Sequence, residues 1–77
     1  MVRHISNIPL TTFRKFLESK GLKIIRTRGG HEIWSRKDLH RPVVMQSHIS
    51  PVPEFIVNQI LKTIGSNREE LGRFMNS

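Results

Sequence analysis

At 77 residues the chain has room for one domain, residues 1–77, with a modest hydrophobic core. It contains no cysteine, which excludes disulfide staples and thiolate metal sites, and no apolar run approaches the roughly 20 residues a membrane helix needs. Thirteen Lys and Arg against six Asp and Glu leave a net charge of +7, which in so small a body points to nucleic acid as the partner.

The segment from Met1 to about Asn7 reads as a short mobile arm. The first ten residues carry Arg3, His4, Ser6 and Asn7 and no apolar h-region, so a signal peptide is not expected and a cytoplasmic location is. A first helix is predicted over about Pro9 to Lys20. Proline suits its start because the missing N–H would be unpaired there. Leu10, Phe13, Phe16 and Leu17 fall on one face, with Arg14, Lys15, Glu18 and Lys20 on the other. Gly21 supplies the stop.

Leu22 to Arg28 alternates in part, and its β-branched residues and bounding glycines predict a strand. Gly29-Gly30 reads as a tight hairpin turn in which both central residues take positive φ. His31 to Arg36 gives a second strand. Period two leaves one choice open: Ile33 faces the core with His31 and Ser35, or Glu32 and Trp34 do. A polar turn over Lys37 to His40 leads to a third strand, Arg41 to Gln46. Asp38 is expected to be structural in that turn.

Ser47 to Pro53 is a loop with two prolines. A second helix follows over about Pro53 to Ile64. Its apolar stripe is Phe55, Ile56, Ile60 and Ile64, widened by Val57 and Leu61, and Gly65 ends it. Ser66 and Glu69 have the spacing of a capping box for a short third helix, about Asn67 to Asn76, which turns Leu71, Phe74 and Met75 inward. The order α-β-β-β-α-α predicts an α+β fold: a three-stranded antiparallel sheet with helices on one face and the other face open.

The run Lys20-Gly21-Leu22, followed by Arg26-Thr27-Arg28-Gly29-Gly30-His31-Glu32-Ile33-Trp34, resembles the signature of the HicA (YcfA-like) mRNA interferase family. Val43-Val44, His48 and Ile60-Leu61-Lys62-Thr63-Ile64-Gly65 are similar to its second half, so the likeness runs from about Ile8 to Phe74. The resemblance implies a fold like the double-stranded-RNA-binding domain and a ribosome-independent mRNA endonuclease. It also implies a toxin held in check by a HicB-like antitoxin. It carries the family's catalytic histidine onto His31 and its motif glycine onto Gly29. Two positions depart from the pattern: Gly30 stands where the family has Ser, and Gln46 where it has Pro two residues before the downstream histidine.

Cutting RNA needs a base for the 2′-hydroxyl, an acid for the leaving 5′-oxygen and cations to stabilise the phosphorane. Histidine suits proton transfer because its ordinary titration lies near neutrality. His31 follows two glycines that let a backbone approach and whose N–H groups can hold a phosphate oxygen. Arg26 and Arg28 before the turn, with Arg36 and Lys37 after the strand, are the expected phosphate contacts. Glu32 alternates away from His31 and is a poor partner for it. Trp34 has two readings, stacking on a base or packing in the core, of which the core is favoured. His48 is either a second acid or a hydrogen-bonding group in its loop, with the latter favoured. His4, His31, His40 and His48 have no metal-site spacing and no acidic cluster, so neither metal nor cofactor is expected. The alternative function is a non-catalytic RNA-binding module on the same scaffold, and a third class is the basic half of a protein–protein complex. No membrane partner is expected, since no basic amphipathic helix stands out.

Overall fold

The computed structural model describes residues 7–76. The expected N-terminal arm, with His4, lies outside the described residues apart from Asn7. Helix α1 (Leu10–Ser19) buries Leu10, Phe13, Phe16 and Leu17, the four positions that share one face in the sequence. Pro9 is its N-cap, one residue before the first helical turn, and its carbonyl accepts from Phe13 N–H at 3.0 Å. A proline has no capping side chain. The Leu10 N–H donates instead to Ser50 Oγ at 3.1 Å, so a distant loop satisfies one of the donors that a helix start leaves open. At the other end Leu22 N–H donates to Leu17 O and Gly21 N–H to Glu18 O, the paired bonds of a Schellman stop.

The sheet has the order β1 (Lys23–Arg28), β2 (His31–Ser35), β3 (Val43–Gln46), with both pairings antiparallel. The partial alternation of the first strand has a structural counterpart. The register of β1 against β2 slips between Ile24 and Arg26, leaving Ile25 as an extra residue, 60% exposed. Strand β3 begins two residues later than expected, because Pro42 lacks the N–H a ladder needs. Glu32 and Trp34 are the inward pair of β2, while His31 and Ile33 alternate to the open side.

Helix α2 (Glu54–Thr63) buries Val57, Ile60 and Leu61, and Ile64 follows at its C-cap. Phe55 does not join that stripe. At 100° per residue it stands about 200° round from Val57, and it is 71% exposed. Helix α3 (Arg68–Met75) buries Leu71, while Phe74 and Met75 pack against the core partly covered. Its cap is Asn67, whose side chain accepts from Glu70 N–H at 2.8 Å; the expected Ser66–Glu69 box is displaced by one residue. Asn caps as well as Ser, and the shift puts a carboxylate at the third helical position in either register. Ser66 Oγ then donates to the Glu70 carboxylate, which also pairs with Lys20 Nζ at 3.0 Å and so ties α3 to the end of α1.

The core lies between the helices and the inner sheet face, joining Phe13, Phe16 and Leu17 to Trp34, Val43, Met45, Val57, Leu61 and Leu71. Phe74 meets Phe16 edge-on, with centroids 5.5 Å apart and planes at 68°, the geometry in which ring edge meets ring face. No helix among the described residues is long and apolar enough to cross a membrane.

Candidate nucleic-acid interface

The register builds a basic surface on the open face of the sheet. Arg28 pairs with His31 and His31 with Gln46, so these three residues form one row across the strands. Arg26, Ile33 and Val44 form the next row, and Lys23 opposite Ser35 extends the face. Directly opposed residues in antiparallel strands have Cα atoms only about 4.5–5.5 Å apart. Arg28 therefore flanks the His31 backbone directly, with Arg26 one row away. His31, Arg26 and Arg28 are all exposed.

The turn at one end of this face is a two-residue loop with φ of +55° at Gly29 and +80° at Gly30. Positive φ at both positions matches the twist of the hairpin, and glycine adopts it without penalty. A Cβ at Gly29 would meet nothing within 4 Å, so the turn is open to an approaching backbone there. Gly30 is different: a Cβ on it would lie 3.1 Å from His48 Cε1 and 3.5 Å from His48 Nδ1. The His48 ring stands over the glycine. Ser47 N–H and Ser47 Oγ both donate to Gly30 O, at 2.8 and 2.9 Å, and hold the loop against the turn.

Beneath His31, on the other side of the pleat, Glu32 is buried and fully engaged. Arg14 Nε donates to both carboxylate oxygens at 3.1 Å, Arg14 Nη2 makes a further close contact, and Trp34 Nε1 donates to Oε1 at 3.0 Å. Arg14 Nη2 also donates to Ser47 O at 3.1 Å. The Arg14 hydrogen bonds hold the Glu32 carboxyl below its ordinary range, with help from Trp34 and against the opposing effect of burial. The same contact raises Arg14. One signal for this network was in the sequence: Glu32 shares a strand phase with Trp34, so a buried Trp34 brings Glu32 in with it, and a buried carboxylate needs a cation.

Arg36 and Lys37 are not part of this surface. Five residues of strand at about 3.3 Å each separate Arg36 from His31, roughly 16 Å. The Arg36 guanidinium donates to Lys20 O at 2.7 Å and Ile64 O at 3.2 Å, and its Nε meets Asp38 at 2.6 Å. It clamps the C-terminal ends of α1 and α2, with Asp38 drawn below its ordinary range chiefly by the Arg36 hydrogen bond. Lys37 is exposed in the turn that follows. Trp34 is core, 4% exposed, and is not a stacking platform.

A groove of about 240 Å³ runs along the free edge of β3, with His31, Val44, Gln46, Ile49 and Phe55 on its walls. A group seated there would lie beside the His31 row. Among the described residues no three His, Cys, Asp or Glu side chains come together as a metal site. Comparison with protein-family models, with curated proteins and with solved structures found no match to this chain. The chemistry available at the turn is therefore read from its own residues: an exposed histidine, two exposed arginines on the same sheet face and open space beside Gly29, with no carboxylate among the described residues bonded to the His31 imidazole.

Proposed function

We propose that this chain is an RNA-cutting toxin of the HicA type, a metal-independent endoribonuclease that cleaves mRNA with His31 as a proton-transfer group. The observation that carries the reading is the exposed His31 imidazole, placed beside a two-glycine turn and directly across from Arg28 on an open sheet face. An RNA strand laid along that face would meet Arg28 and Arg26 through its phosphates. Its ribose hydroxyl would come within reach of the imidazole, and the Gly29 end of the turn leaves room for the chain. The three-stranded sheet with helices on one side is in keeping with a double-stranded-RNA-binding-domain-like scaffold put to this use.

An mRNA substrate places the protein in the cytoplasm. A HicB-like antitoxin is the matching partner: an acidic protein would be steered to the Arg26–Arg28–His31 surface and would silence it by covering it.

The test is His31→Ala, measured by cleavage of RNA and by growth of cells expressing the protein. Loss of about 10²–10⁴-fold in cutting rate is expected for a lost acid–base group, with relief of toxicity, and a chelator leaves the wild-type rate unchanged. Undiminished cutting by His31→Ala would defeat the assignment. A stable, salt-sensitive RNA complex with intact RNA after long incubation would establish the binding-module alternative instead.

A further inference from the structure

We infer that His48 is the second proton-transfer group of this site, so that the Gly29-Gly30 turn carries an acid–base pair of imidazoles. The inference rests on the nuclease reading above and adds to it the group that reading lacks.

Geometry is the first ground. The His48 ring lies over Gly30, the residue next to His31, with Cε1 3.1 Å from the Cβ position that glycine leaves empty. Consecutive Cα atoms are about 3.8 Å apart, which keeps that ring atom within about 9 Å of the His31 Cα. The proposal requires both rings to reach one phosphate held at the turn, each at a hydrogen-bond distance of about 3 Å.

Anchorage is the second. His48 belongs to a short loop pinned on both sides. Ser47 is bonded twice to Gly30 O and accepts from Arg14, Ser50 Oγ receives the Leu10 N–H, and Val52 N–H donates to Ile8 O at 2.9 Å. The loop backbone needs nothing from the imidazole. Among the described residues neither the His48 nor the His31 imidazole has a hydrogen-bond or ion-pair partner, and both residues are exposed. The charged groups around them are Arg28 from β1 and Arg14 from α1, while β3 offers the neutral Gln46; Glu32 faces the other side and is held by Arg14. Two unengaged imidazoles beside one open turn have the reach and the chemistry for complementary proton transfers.

The step balances without a co-reactant. One neutral imidazole takes the proton of the 2′-hydroxyl as its oxygen forms a bond to phosphorus. The bond from phosphorus to the 5′-oxygen breaks, and the other histidine, as imidazolium, gives that oxygen a proton. The products are a 2′,3′-cyclic phosphate and a 5′-hydroxyl, and exchange with water restores both rings.

The experiment uses the full-length chain with His31→Ala and His48→Ala, an RNA oligonucleotide with a mapped cut site, and the same oligonucleotide with sulfur as the 5′-bridging atom there. Sulfur departs as thiolate and needs no acid. Each variant is expected to lose about 10²-fold or more on ordinary RNA, and only one of them to recover its rate on the sulfur substrate, which identifies the acid. Matching unfolding midpoints, read from Trp34 fluorescence, establish that both variants fold. Full-rate cutting of ordinary RNA by His48→Ala overturns the pair, as does failure of the sulfur substrate to rescue either variant. Those results leave His31 in place. Intact RNA after incubation with the wild-type chain removes the nuclease reading, and the pair with it.

Discussion

Replacing Glu32 by Gln tests the network under the turn at its most buried point. Glu32 is 4% exposed and receives the Arg14 guanidinium and the Trp34 indole N–H. Glutamine keeps the shape and an oxygen acceptor for Trp34, so the change isolates the charge that answers Arg14. Removing one partner of a buried ion pair costs about 3–5 kcal/mol. Arg14 is 31% exposed, and water recovers part of its solvation, so a loss of about 2–3 kcal/mol is expected. A domain of this size holds about 4–12 kcal/mol in all, and the corresponding fall in Tm is about 10–20 °C. Trp34 is the only tryptophan, so urea and thermal unfolding followed by its fluorescence report on this network directly. The pH dependence has a definite sign. Arg14 holds the Glu32 carboxyl below its ordinary value. The pair therefore contributes fully above the unfolded-state value of about 4.3, and the contribution disappears as pH falls through the lower folded value. Wild type should lose stability on acidification more steeply than Glu32→Gln. A cost under about 0.5 kcal/mol, the scale of an ordinary surface change, together with an unaltered acid slope, would refute the reasoning.

Three further outcomes follow from the placement of side chains. Arg28→Ala should weaken RNA binding and lower the slope of log affinity against log salt by about 0.7–0.9, measured by fluorescence anisotropy. Arg36→Ala should leave that slope unchanged and instead cost about 1.5–3 kcal/mol in urea unfolding, because its guanidinium holds the last carbonyls of two helices. Phe55→Ala should shift stability by no more than about 0.5 kcal/mol, since the ring is outside the buried stripe of α2.

Local sequence carried most of the scaffold. Apolar spacing located the three helices, Gly21 and Gly65 marked two stops, and Gly29-Gly30 marked the hairpin that presents His31, because each of these signals is a property of a few adjacent residues. The break in alternation at Ile24-Ile25 was also visible, and it is the bulge. Where local rules were equivalent, the outcome lay elsewhere. Ser66 and Asn67 are both good caps, and the register of α3 on the core selected Asn67. Phe55 is apolar enough for a core, and the orientation of α2 left it outside.

The chain alone determined that a histidine follows a two-glycine bend in a strongly basic protein, since composition and neighbouring residues suffice for that. Which cations join that histidine was legible in part: a two-residue turn sets its flanking residues, Arg28 and His31, across from each other. The fate of Arg36 was decided only by folding, which drew it to two helix ends roughly 16 Å away. The approach of His48 to Gly30 and the reach of Arg14 to Glu32 join residues 18 positions apart, a separation across which no periodicity or propensity carries information. Contacts of that kind come from how the β2–β3 ladder and α1 dock around one core, and only the assembled tertiary structure contains them.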